Sequence, residues 1–299
     1  MKKDCILIAT LPSLSNMERV RHVFEHPLVS EVRYNTGVQS PYSVDQTLDM
    51  LQVLSLRYQK RLWIDIKGRQ LRVAKWADPL YSCIELNHKV QLTYPAHIYF
   101  RNGDRVNVTH VKDGNRLFVD PLPREALGAG QSVNVIAESV TVEGYLTALD
   151  EEYLRACRTR GLCHVMASFA ESQDDTEAIR QLLPNAHVVS KIESLRGVSW
   201  IKEQDVTDLM AARDDLFLQT GQDHRVLDHL QAIIERDSGA ICASGIFSSL
   251  ERRESPNLAD LADIELMYRM GYRKFMLCDN VCNHCFDRAM KAWESFVNG

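Results

Sequence analysis

The chain has 299 residues, 45% of them hydrophobic and 25% charged, enough to bury a large core and ordinary for a globular enzyme. A net charge of −5, with only three cations in the densest basic cluster (Arg69 to Lys75), argues against a nucleic-acid partner. No stretch approaches the roughly 18 to 20 apolar residues of a membrane span, so no membrane partner is expected.

The N-terminal CILIAT run (Cys5–Thr10) lies between Asp4 and a proline, Pro12. It is too short for a secretory signal and fits a first buried strand. The eight cysteines sit mostly inside apolar runs, as Cys5, Cys163 and Cys242 do. That placement predicts reduced core thiols and a cytoplasmic protein.

Further short apolar runs follow in chain order: Glu31–Asn35, Arg61–Lys67, His164–Phe169, His187–Glu193, Asp208–Asp215, Gly239–Ser244 and Lys274–Asp279. Their near-continuous apolar character marks strands buried on both faces of a parallel sheet. Segments of helical period such as MERVRHVFEH, SVDQTLDMLQVLSLRYQ and VLDHLQAIIERDS separate most of them. Eight such runs predict an α/β fold, a (β/α)8 TIM barrel, rather than an open sheet. The absence of a G-x-G-x-x-G turn after the first run weighs against a dinucleotide fold.

The gap from Lys67 to His164 is too long for one crossover. Within it, CIELNHKVQLTY, HIYFRNGDRVNVTHV and RLFVD alternate apolar and polar residues. Asn102-Gly103-Asp104 and Lys112-Asp113-Gly114-Asn115 supply hairpin turn chemistry. Residues 73–135 are therefore expected to form a small β lid domain inserted after strand three, with the barrel built from 1–72 and 136–299. Asp104 and Asp113 read as turn residues, and Trp63 as barrel core.

In a barrel the strand C-termini face the active site, and residues at i and i+2 share a side. That rule aligns Arg33 with Asn35, Asp65 with Lys67, and Lys191 with Glu193; Asp214, Asp215, Ser244 and Asp279 end later strands. Glu193 and Asp215 form the best pair for Mg2+, which is usually held by a few carboxylates plus water and substrate oxygens. Arg33 and Lys191 would face an anionic substrate. A structural ion-pair network closing the barrel mouth is the competing account.

The motifs IATLPS, VRYNTG, DIKGRQLR, GQSVNVI, ASF, SKIES, ARDDLF, CASGIFSSL, LADIEL and MLCDNVC occur in that order. In order, spacing and place of the insertion, the chain resembles the pyruvate kinase family from about residue 4 to 296, on SKIE, ARxDL and CA[ST] jointly. The resemblance implies that Lys191 lies beside the transferring phosphoryl group and the enolate, and that Glu193 and Asp215 ligate Mg2+ or Mn2+. By the same resemblance Arg33 contacts the phosphoryl group, and Ser244 stands where a threonine holds the substrate carboxylate. Asp214 and Asp215 would open a short helix that cradles that carboxylate. Asn35 and Asp65 would line a monovalent-cation site, Arg72 would approach the phosphates, and Lys67 joins this substrate-binding set.

Departures from the family pattern accompany the match. Asp214 replaces a glycine and would repel a substrate carboxylate or enlarge the metal site. Gly37 replaces a serine that lines the potassium site, which weakens the expectation of K+ dependence. Arg69 and Gln70 replace a proline and a glutamate, CDNVC replaces S-G-E-T-A, and PNLAD lacks an arginine. The insertion looks shorter than usual, and the sequence ends at the eighth helix, so the family's C-terminal regulatory domain is expected to be missing.

The resulting expectation is a Mg-dependent phosphotransferase acting on phosphoenolpyruvate, pyruvate or a related enol phosphate, with a nucleotide or another molecule as second substrate. The alternative is a lyase or aldolase handling pyruvate or oxaloacetate at the same metal–enolate site. A catalytically silent barrel is disfavoured because the carboxylate pair survives. A homo-oligomer is expected. Cys278, Cys282 and Cys285 have the C-x3-C-x2-C spacing of cluster-binding proteins, but Cys278 ends a buried run, and incidental reduced thiols are the expected reading.

Overall fold

The computed structural model describes residue 2 and residues 4–75, 82–100 and 103–299. The chain divides into two compact units, Met1–Ile66 with Leu149–Gly299, and Lys67–Ala148.

The first unit is a closed parallel barrel. Its strands are β1 (Ile6–Thr10), β2 (Glu31–Asn35), β3 (Arg61–Ile66), β11 (His164–Ala167), β12 (His187–Ile192), β13 (Leu209–Ala212), β14 (Ile241–Ala243) and β15 (Lys274–Leu277). They pair in the order β1-β15-β14-β13-β12-β11-β3-β2, and the seam that closes the ring sets Ile6 beside Lys274. Period-two alternation sends one face of each strand inward. Ile8, Trp63, Met166, Val189, Met210, Ile241 and Met276 form the buried interior. The other face meets the helices, which is why the strands read as unbroken apolar runs.

Those helices are α1 (Met17–Glu25), α2 (Val44–Tyr58), α3 (Ala148–Arg160), α4 (Gln173–Leu182), α5 (Leu195–Glu203), α6 (Arg213–Gln219), α7 (Val226–Arg236), α8 (Leu258–Met270), α9 (Asp279–His284) and α10 (Phe286–Asn298). Several start on chemistry legible in the sequence. Ser43 with Gln46 and Asn257 with Asp260 form reciprocal capping boxes on α2 and α8. At the end of the chain, Trp293 and Phe296 of α10 lie 5.6 and 5.9 Å from the Phe275 ring on β15.

The sixth strand is shorter than the Asp208–Asp215 run suggested. It stops at Ala212, and Asp214 and Asp215 occupy the first turn of α6. Acidic side chains are stabilised there by the helix dipole, so the paired aspartates end the strand.

At the opposite, N-terminal end of the barrel, the Trp63 ring is wedged between His164 at 5.1 Å and His187 at 5.3 Å. Its indole N–H donates to Glu31 at 2.6 Å, and Glu31 in turn accepts from Arg61 at 2.7 Å. Trp63 is only 3% exposed, a core residue with its polar edge satisfied.

The second unit is antiparallel. Strands β4 (Cys83–Glu85), β6 (Ala96–Phe100), β7 (Arg105–Lys112), β8 (Arg116–Asp120) and β9 (Val133–Ile136) form a sheet in the order β4-β8-β7-β6-β9. A two-stranded ribbon joins β5 (Val90–Leu92) to β10 (Val140–Val142). The unit has its own core, including Ile84, Ile98, Val106, Leu117 and Val135. The β7–β8 hairpin turns on Asp113 and Gly114, both at positive φ, and Asp113 pairs with Arg116. Asp104 is more than a turn residue. It is 6% exposed, and its carboxylate accepts from the backbone N–H groups of Arg105 and Arg124. Asn102, the first residue of its expected turn, lies outside the described residues.

The unit is wider than the 73–135 expected from alternation. On one side it includes Lys67 to Arg72, and on the other β10, whose Val140 and Val142 pack against the same core. The three residues of β10 are too few to display a readable period, and Lys67 to Arg72 contain no regular strand, so the sequence pattern stopped short at both ends. Among the described residues, no helix is long and apolar enough to cross a membrane.

Candidate active site

The C-terminal ends of β1, β2, β3, β11, β12 and β15 bring one charged network together, centred on Asp65. This carboxylate is fully buried. Its Oδ2 accepts from Arg33 Nε at 2.6 Å and also meets Arg33 Nη2. Its Oδ1 accepts from the Ser168 hydroxyl at 3.1 Å and lies 3.5 Å from Lys191 Nζ. Lys191 Nζ donates to Ser168 Oγ at 2.8 Å and pairs with Glu193 Oε1 at 3.1 Å. The second Glu193 oxygen accepts from the Phe169 backbone N–H at 2.7 Å.

Arg33 is anchored on its remaining side as well. Its Nη1 donates to the Thr10 hydroxyl at 3.0 Å and to Asp279 Oδ2 at 3.1 Å. Asn35 donates to the other Asp279 oxygen at 3.0 Å and accepts from the Gly37 N–H at 3.0 Å. The sequence-derived residues Arg33, Asn35, Asp65, Lys191 and Glu193 therefore converge.

The electrostatics of this network follow from burial. Burial pushes the Lys191 ammonium down, but Asp65 and then Glu193 outweigh it and hold its pKa above the usual lysine value. Arg33 behaves likewise: burial opposes its charge, and Asp65 and Asp279 more than restore it. Glu193 moves the other way. Burial raises its pKa to about 7 against the pull of Lys191, and the negative charges of Asp215 and Asp65 add to the rise. Two cations, Arg33 and Lys191, thus face the carboxylates of Asp65, Glu193, Asp215 and Asp279, and the site carries excess negative charge.

Asp214, Asp215 and Ser244 come from the next two strand ends. Ser244 has φ +70, a conformation normally left to glycine. Its carbonyl is held by Arg213, whose Nε donates to it at 3.1 Å and to the Ala243 carbonyl at 3.2 Å. The Arg213 fork also grips Asp263 of α8 at 2.6 and 2.8 Å. Among the described residues the Ser244 hydroxyl makes no hydrogen bond, which leaves it available to a ligand. Phe169 (φ +49), after β11, and Phe247 (φ +54), after β14, share the left-handed conformation.

Lys67 and Arg72 belong to the second unit. The Lys67 carbonyl accepts from the Gln70 N–H at 2.9 Å, and Arg72 Nε donates to Gln70 Oε1 at 3.1 Å. Their assignment to a substrate rests on the resemblance alone.

Thr10, Ser168 and Arg213 escaped the sequence reading. Thr10 and Ser168 lie two residues beyond the inward-facing Ile8 and Met166, so the same period-two rule that selected Arg33 reaches them. Cys282 and Cys285 are buried, and burial raises the thiol pKa at both and at Cys278. That environment favours the protonated thiol over the thiolate that a cluster needs.

A closed parallel barrel that gathers a lysine, an arginine and several carboxylates at its strand C-termini is the architecture of a TIM-barrel enzyme. Within that class, the family model for the pyruvate kinase barrel domain matches residues 84–283, well over half of the chain. The chain belongs to the pyruvate kinase family. No individual curated protein matches it in a sequence search.

Proposed function

We propose that the chain is a divalent-metal-dependent phosphotransferase of the pyruvate kinase type, acting on phosphoenolpyruvate, pyruvate or a related enol phosphate. The observation that carries this reading is Lys191, a buried ammonium kept charged by Asp65 and Glu193, with Asp215 near enough to act electrostatically on both Lys191 and Glu193. A fixed cation in a water-poor site stabilises charge that builds on a transferring phosphoryl group far better than the same cation in water.

The donor set suits a hard cation. Among the described residues no group of three or more His, Cys, Asp or Glu is arranged as a metal cage. Two carboxylates completed by water and substrate oxygens remain, the way Mg2+ or Mn2+ is commonly held. Bound there by Glu193 and Asp215, such an ion would supply Lewis-acid neutralisation of substrate oxygens. The raised pKa of Glu193 supports the fit, because burial and the negative charge of Asp215 outweigh its pairing with Lys191, and a further cation there would favour its ionised form.

The protein's own groups then divide the work. Lys191 lies against the bridging oxygen and the enolate oxygen, and Ser168 and Asp65 fix its position. The Ser244 hydroxyl, on a loop locked by Arg213, meets the substrate carboxylate or the proton-transfer face of the enolate. Arg33 is preorganised by Thr10, Asp65 and Asp279; contact with a phosphoryl group means sharing or releasing Asp279.

That engagement of Arg33, together with Asp214 on the carboxylate side, favours a second reading. A pyruvate- or oxaloacetate-handling lyase or aldolase would use the same enolate stabilisation without phosphoryl contacts.

The two readings separate in one experiment. The protein is incubated with Mg2+ and phosphoenolpyruvate, with and without nucleotides, and pyruvate and phosphate are followed by NMR. Nucleotide-dependent pyruvate release is the expected result. Exchange of the pyruvate methyl protons with solvent, without phosphoryl transfer, would move the assignment to enolate chemistry alone. Unchanged activity in Glu193→Gln would remove the metal assignment.

A further inference from the structure

The barrel unit contains a cleft of about 1030 Å3 between α6, α7 and the connection from β14 to α8. That is the size of a small-molecule site, and nothing in the reaction outlined above uses its outer part. Its lining is ordered by chemistry along its length. Phe217 and Leu227 form an apolar wall, 39% and 43% exposed. Arg252 and Arg253 stand side by side on the rim, both exposed. Ser244 and Asp214 also line it.

Two features make this a built site rather than a surface depression. The back wall is rigid, because the Arg213–Asp263 fork and the Ser249–Asp260 contact tie α8 to the strand-end loops. The rim cations have no fixed partner: among the described residues neither Arg252 nor Arg253 has an ion-pair or side-chain hydrogen-bond partner. Of the neighbouring acids, Glu254 pairs with Arg288 at 2.8 Å, while Glu251, which also lines the cleft, is turned to the Asn280 amide at 3.2 Å. Adjacent guanidiniums repel each other and match an incoming anion bidentately.

We propose that this cleft is a second ligand site for an organic anion with an apolar ring or chain between its ends. A terminal carboxylate or phosphate would sit on Arg252 and Arg253, and the apolar body on Phe217 and Leu227. A hydroxyl or amine at the other end would bond to Asp214, leaving the Ser244 hydroxyl to the substrate. Asp214 selects against a second anion at that end, so the ligand carries its negative charge at the rim alone. The site stands on the cleft's geometry and goes beyond the reaction proposed above.

Titration calorimetry of the full chain with phenyl phosphate, 4-phenylbutyrate and uncharged 4-phenylbutanol tests the proposal. Both anions are expected to bind and the alcohol at least tenfold more weakly; the ratio of the two anions tells phosphate from carboxylate. Arg252→Ala/Arg253→Ala should weaken anion binding about tenfold or more, and Phe217→Ala should weaken it several-fold, with melting temperatures close to wild type. Equal binding of the alcohol, or anion affinity unchanged in the double variant, would overturn the site. Sedimentation of the same proteins guards the remaining alternative. A wild-type dimer that dissociates in the Phe217→Ala variant, with no anion binding in either, would assign the cleft to a second copy and likewise overturn it.

Discussion

Asp65 carries more of the site than its size suggests. One fully buried carboxylate holds Arg33, Ser168 and Lys191 in a single arrangement. Replacing it by alanine leaves two buried cations without their main partner, and breaking a buried pair in this way costs about 3–5 kcal/mol. Asp65→Ala should therefore lower the urea midpoint markedly. Asp65→Asn keeps the volume and part of the hydrogen bonding, and should lower it less. If both variants unfold like wild type, the network does not stabilise the barrel mouth.

At this scale the sequence revealed charged groups better than hydroxyls. Arg33, Asp65, Lys191 and Glu193 stand out because a charge at the end of an apolar strand breaks the local pattern. Thr10 and Ser168 do not, since a small hydroxyl is common at any strand end. Arg213 was hidden for another reason: its partner Asp263 is 50 residues away, and only folding brings them together.

Among the elements, backbone conformation makes the clearest forecasts. Helix α2 ends at Gln59, whose φ of 52 places a side-chain-bearing residue in the left-handed region. Gln59→Gly removes that cost and should stabilise the protein by about 0.5–1 kcal/mol in chemical denaturation. Ser244→Gly relieves the same strain but deletes the hydroxyl that we propose meets the substrate. It should gain stability and lose turnover together, a split that a purely structural Ser244 would not give.

The floor of the barrel, where β3, β11 and β12 begin, predicts a pH response. Burial, then the nearby charges of Arg61 and His187, lower the His164 pKa from 6.5 to about 4. The folded state thus keeps the imidazole neutral while the unfolded chain protonates it. The stability involved is complete above pH 6.5 and is lost as pH falls toward 4. Because the ring is only half-buried, the loss should be modest, about 1–2 kcal/mol. Denaturation midpoints at pH 7, 5.5 and 4 should fall less steeply in His164→Phe. Parallel slopes in the two proteins would remove His164 as the source.

Across the whole molecule, the succession of apolar runs and helical segments was enough to read the barrel, because both periods are long and repeated. The limits of the inserted unit were not, because of its outer pieces β10 is too short to show a period and Lys67 to Arg72 contain no regular strand. That unit has a hydrophobic core of its own, so it is expected to open as a separate cooperative block. Hydrogen exchange followed by mass spectrometry should give residues 83–142 an opening free energy distinct from that of the barrel strands. A single shared value would show that the two cores unfold as one.

The seam between β1 and β15 has a consequence for how the molecule is made. Ile6 finds its partner only when Lys274 has been synthesised, so during translation the first strand leaves the ribosome long before one of its two neighbours exists. Until then β1 can pair only with β2, and its other edge stays open to any passing strand. The same loop must close entropically at every refolding, which places the chain among slow, high-contact-order folders. Production of the protein should accordingly depend on temperature and chaperone supply more than its finished, edgeless barrel would suggest.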